Sequence, residues 1–158
     1  MAADEAIVPR ELGVRCETCH GPGAAHASDP ARVKPRNPGK LSAAQLNEFC
    51  GGCHRKPAAP EETPNLADPW NARHQPLLLA ASGCFKESGG KLSCLTCHSP
   101  HAPLEQKSAA YDGACVKCHA KAKHTQAVAG RPCVGCHMPG VRAGEHLTFA
   151  NHRIAVYR

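Results

Sequence analysis

Large apolar side chains are scarce in this chain. Aromatic residues make up 4% of 158 positions, with a single Trp, Trp70, and two Met, Met1 and Met138. Such a chain cannot fill an ordinary core, and few aromatics are left to stack nucleic-acid bases. The longest apolar run, Leu77 to Ala81, is far below the about 20 residues that cross a bilayer as a helix. Residues 1–15 carry charges and lack an apolar stretch, which excludes a signal peptide there. We therefore expect a mature chain or a fragment of a larger one. Fourteen Gly and fourteen Pro argue against long regular elements. Something other than side chains must fill the interior, as disulfides or metals do in core-poor domains.

What the chain has instead is eleven Cys and eleven His. Ten of the Cys and five of the His fall into five copies of C-x-x-C-H. The copies are Cys16, Cys19, His20; Cys50, Cys53, His54; Cys94, Cys97, His98; Cys115, Cys118, His119; and Cys133, Cys136, His137. The pattern reads as covalent attachment of haem c. Two thiols three positions apart reach the two vinyl groups of one porphyrin, and the following His sits beneath the iron. Zinc ribbons also pair C-x-x-C units, but neither zinc, an iron–sulfur cluster nor a disulfide framework needs a His after the second Cys. Five such His by chance have odds of roughly one in a million. The sequence thus predicts five covalent haems c. The formal charge of +6 fits this reading, since ten propionates bring −10 and five ferric centres bring +5, leaving +1. Cys84 is the odd thiol, read as a small buried apolar residue.

The first-Cys intervals are 34, 44, 21 and 18 residues. At about 32 residues per haem (158 over five), the groups must contact one another, and the third to fifth should form a close run. Six His lie outside the motifs: His26, His74, His101, His124, His146 and His152. Met138 directly follows His137 and cannot reach the opposite face of the same porphyrin, so bis-His ligation is expected at most sites. His26, His101 and His124 follow their motif His by six, three and five residues, too few to wrap round their own haem. Each should serve a different one. His/His ligation in place of Met/His lowers the reduction potential. His152, flanked by Phe149 and Ile154 and followed by Arg153, is preferred to His146 as the fifth distal ligand. The expected distal set is His26, His74, His101, His124 and His152.

Local signals predict three helices. Ser42 to Gln45 has the form of a capping box for a helix from about Ala43 that delivers Cys50 and His54. Pro76 suits the first turn of a helix through Leu77 to Ala81, with His74 at its start. Asp112 is a fitting N-cap for a helix from Gly113 to Lys123. Residues 21–40 and 55–70 read as Pro-rich loops, and the tail from His146 shows no helical pattern. The fold class expected is mostly α with extensive loops around stacked haems and little or no β-sheet, with 1–158 as a single pentahaem domain.

The segment Cys16 to His26 (CETCHGPGAAH) resembles the C-x-x-C-H-G-P-G-x-x-H element of multihaem cytochromes related to hydroxylamine oxidoreductase and the tetrahaem cytochrome of nitrifiers. Cys94 to His101, Cys133 to Pro139 and Phe149 to Ile154 resemble segments of the same broad group. The resemblance implies that His26 and His101 are distal ligands. The chain departs from the group's enzymes: it has no C-x-x-C-K motif, it is far shorter, and Tyr111 and Tyr157 match the haem-crosslinking Tyr only by residue type. Electron transfer is therefore the leading expectation. The alternatives are an oxidoreductase with one five-coordinate haem acting on a small nitrogen or sulfur compound, and a subunit of an extracellular cytochrome filament. Partners are expected to be redox proteins or other copies of the chain, with no nucleic acid and no membrane span. The expected location is periplasmic or extracellular, with the export signal on a segment outside this sequence.

Overall fold

The computed structural model describes residues 13–59, 61–124 and 130–157. The chain divides into two compact units, Met1–Leu41 and Ser42–Arg158.

In the first unit, α1 (Cys16–His20) is a helix of little more than one turn. It ends at Gly21, whose φ of 79° with an extended ψ of −178° is a conformation that only glycine adopts at little cost. Within the stretch expected to be loop, α2 (Ala24–Ser28) forms from an alanine-rich sequence, in keeping with the high helix propensity of Ala. A 3₁₀ turn follows at Pro38–Lys40.

The second unit begins with α3 (Ala43–His54), capped as its sequence predicts: Ser42 Oγ accepts from Gln45 N, and Gln45 Oε1 accepts from Ser42 N. A 3₁₀ turn at Pro69–Arg73 leads through His74 into α4 (Gln75–Ala80), with Pro76 in its first turn. Next come α5 (Gly83–Glu87), α6 (Cys94–Cys97), a 3₁₀ turn at Ser108–Tyr111, α7 (Asp112–His119) and α8 (Cys133–His137). Strands β1 (Gly140–Arg142) and β2 (Thr148–Ala150) pair antiparallel, with Val141 opposite Phe149. Mostly helical with loops and one small hairpin, the architecture is the class the sequence predicts.

The third predicted helix differs. α7 starts at Asp112 and stops at His119, short of Lys123. Past His119 the chain tightens to a turn in which Ala122 N donates to His119 O. Asp112 does not cap its own helix; its carboxylate accepts from Cys133 N at 2.9 Å.

Among the described residues the buried apolar set is Leu46, Ala72, Leu77, Leu78, Leu79 and Ala143. It lies where α4 packs on α3 and the 69–73 turn, with the hairpin against that same turn. The longest apolar run of the sequence is thus the centre of the only sizeable side-chain cluster described. Trp70 stays half exposed. No described helix is long and apolar enough to cross a membrane.

Candidate functional site

All five C-x-x-C segments are helical, on α1, the last turn of α3, α6, α7 and α8. One helical turn puts residues i and i+3 on the same face, so each pair of thiols is presented side by side. All eleven Cys are free thiols. His20, His54, His119 and His137 close their helices, and His98 follows α6 directly.

Several imidazoles are held by their Nδ1 atoms. His20 Nδ1 donates to Arg36 O at 2.7 Å, and Arg36 N returns a bond to His20 O. Arg36 also spans Cys19 O with its guanidinium. His137 Nδ1 donates to Ala155 O at 2.9 Å, and Ala155 N donates to His137 O. Outside the motifs, His26 Nδ1 donates to Val33 O at 2.7 Å and His152 Nδ1 to Ala150 O at 3.0 Å. His74 Nδ1 donates to Asn71 Oδ1, which also accepts from the Arg55 guanidinium. A donated Nδ1–H fixes the tautomer and leaves Nε2 with its lone pair, the arrangement of a metal-binding imidazole.

The structure brings motif and non-motif His together in three places. The rings of His98 and His152 lie 6.2 Å apart, centroid to centroid. Those of His124 and His137 lie 6.0 Å apart. His54 and His74 share a cavity of about 570 Å³ with Cys53, Arg55, Arg73, Gln75 and Phe149. Burial lowers the His152 pKa, with His98 and His54 adding to the effect against a raising bond from Ala150. Burial likewise lowers that of His98 and, with Arg55 and Arg73, that of His74. Lowered values keep imidazoles neutral, the form that binds metals. His146, by contrast, has a side chain 88% exposed, with the adjacent Glu145 carboxylate 3.9 Å away. His26, His101 and His124 are placed near their own motifs in sequence, and His124 turns to the ring of the next one.

These residues fit a haem. Two imidazoles trans on one iron, each bonded at about 2 Å, place their ring centroids about 6 Å apart. The His54/His74 cavity has the size of a small-molecule site. Its two Arg suit propionates, and Gln75 there keeps a buried Oε1 without a hydrogen-bond partner. Described residues form no cluster of three or more His, Cys, Asp or Glu fit to hold a bare metal ion, as zinc would require.

Some structural residues escaped sequence reasoning. Buried Ser82 donates to His152 O at 3.0 Å and accepts from Ile154 N at 2.8 Å, holding the backbone on both sides of Arg153, directly after His152. Asn71 joins Arg55 to His74. Asn47 Oδ1 accepts from Cys94 N. Burial, with the neighbouring Cys50 thiol, pushes the Cys94 thiol up to about 12. Cys133 is pushed up to about 11 by burial, then by Asp112 and by Cys115. The first thiols of motifs two and three, and of motifs four and five, are therefore neighbours.

Compared with known proteins, the chain is similar to a multihaem cytochrome. The relative is the multiheme cytochrome MtrA of Shewanella baltica (strain OS185), 25% identical over 140 residues. The match takes in 80% of this chain and 36% of that protein, so the chain spans about a third of its relative's length. No family model matches, and no solved structure matches.

Proposed function

We propose that this chain carries five covalently attached haems c and transfers electrons through them. The carrying observation is the pairing of His98 with His152 and of His137 with His124 at the separation of two imidazoles on one iron. The likeness to a multihaem cytochrome supports the same reading. When bound, each haem supplies a one-electron ferric–ferrous couple.

The residues divide the work as follows. The Cys pairs form the thioethers. His20, His54, His98, His119 and His137 would be the motif ligands, and His74, His152 and His124 would be the second ligands for the haems held by His54, His98 and His137. His26 and His101 supply further distal ligands, an assignment that rests on the resemblance of CETCHGPGAAH and CLTCHSPH to the hydroxylamine-oxidoreductase-related group. His146 is the spare. His/His ligation makes the potentials low. Partners are redox proteins or copies of the chain, outside the cytoplasm, where bacteria attach haem c.

Haem counting by pyridine haemochrome and intact mass tests the stoichiometry, with five expected. A colourless, zinc-loaded protein refutes the reading. Ferric spectra of alanine variants test the ligands. His152→Ala and His124→Ala should each turn one haem high-spin, while His146→Ala leaves all low-spin. The reverse outcome for His146 and His152 overturns the distal assignment.

A further inference from the structure

Asn47 stands three residues before Cys50, and Asp112 three before Cys115. Each lies one helical turn ahead of a motif, on α3 and α7, and each reaches across to the next motif. Asn47 Oδ1 accepts from Cys94 N at 3.1 Å, and Asp112 Oδ1 from Cys133 N at 2.9 Å. Both recipients are the first residue of a short motif helix, α6 or α8, where the backbone N–H has no partner within the helix. On α8 the N-cap is Pro132, which has no side-chain oxygen to offer. α6 keeps its own Ser93–Thr96 capping box, but the first N–H of the third and of the fifth motif helix is bound by a side chain from the helix of the second and of the fourth.

The parallel extends further. α3 packs on α6, and α7 on α8. Cys50 adjoins Cys94, and Cys115 adjoins Cys133. Asn47, 2% exposed, is itself anchored by donating to Leu92 O at 3.4 Å. Cys94 Sγ also donates to Asn47 in the free thiol. Thioether formation removes that donor and leaves the backbone bond as the clamp. The corresponding positions ahead of the other three motifs are Gly13, Lys91 and Gly130, none of which carries an acceptor.

We propose that Asn47 and Asp112 are equivalent positioning residues. Each locks one attachment helix to the next, so that sites two and three, and sites four and five, form two like two-haem modules. The inference rests on the haem reading above. Its consequence is that one side-chain-to-backbone bond sets the gap between the adjoining Cys of a pair, and would with it set the spacing of the two haems attached there.

The test uses the holoprotein, with haem count and the Soret-region circular dichroism couplet, which reports coupling between neighbouring porphyrins. A count below five in the unaltered protein removes the haem reading itself. With five present, Asn47→Ala and Asp112→Ala should each diminish the couplet, and the two losses should add in the double variant, as for independent sites. Asp112→Asn keeps the Oδ acceptor and should retain the couplet, whereas at Asn47 an Asp would lose the amide that donates to Leu92 O and is no control. If an alanine variant loses haem, peptide mass mapping should confine the loss to sites two and three for Asn47, or four and five for Asp112. The proposal is overturned by an unchanged couplet in the alanine variants at full haem count, by loss of the couplet in Asp112→Asn, or by haem loss outside the stated pair.

Discussion

Gly51, between the two thiols of the second motif, is buried, and a Cβ there would lie 2.7 Å from Lys56 Cα. The approach is that close because the chain doubles back just after the motif, through Arg55 at φ 59°. Backbone cannot yield as a flexible side chain can, so Gly51→Val should cost about 1–3 kcal/mol, read as a lower midpoint in denaturant. Gly52, whose Cβ would meet nothing within 4 Å, is the control and should tolerate Ala far better. Cys84 is half-buried, and burial raises its thiol pKa, opposed by backbone hydrogen bonds and aided by Cys118. A raised value means less thiolate at neutral pH, and the thiolate is the nucleophile. In the folded holoprotein, alkylation of Cys84 should therefore be slow near pH 7 and accelerate as pH rises. Denaturation should expose one titratable thiol; fast labelling of the native protein at pH 7 contradicts this. The five motifs could be read directly because their chemistry is local. Asn47 and Ser82 could not, because the groups they bond lie 47 and 70 or more positions away, and nothing near them in sequence marks a long-range cap.

Helices were legible in proportion to how locally they are determined. The Ser42–Gln45 box and Pro76 fix their helix starts through bonds and backbone angles within one turn, so α3 and α4 lie where the pattern puts them. Asp112 misled because a carboxylate at a helix start has two possible clients, and here the other helix takes it. The short helices α5 and α2 carry no strong periodicity, and no sequence signal announced the pairing of β1 with β2 across residues 143–147. The segment after β2 owes its course to Ser82, which is 1% exposed and bonded to it on both sides of residue 153. Ser82→Ala leaves a half-buried carbonyl and a half-buried N–H without their partner, at about 1–3 kcal/mol. The expected outcome is a lower denaturation midpoint together with a rise in the high-spin fraction, since His152 would lose its anchor. A variant destabilised with every haem still low-spin would uncouple Ser82 from the His152 site.

At the scale of the whole chain, six small or aliphatic residues make up the described apolar core, a slender set to set against the conformational entropy of ordering a domain. Binding free energy of a ligand held only by the native state becomes folding free energy. The chain made without haem attachment should therefore give a coil-like far-ultraviolet spectrum, no cooperative thermal transition and rapid proteolysis, while the holoprotein resists all three. A cooperative transition in the haem-free chain would falsify this. The long reach from His98 to His152 bears on biogenesis as well as stability. Any nascent or clipped chain that stops short of residue 152 lacks the imidazole that faces His98. On the proposed ligation, a third haem would then lack its distal His152 and could take carbon monoxide or peroxide. If that ligation holds, completeness of synthesis would be written into spin state, and a truncated product would betray itself by the chemistry it could no longer refuse.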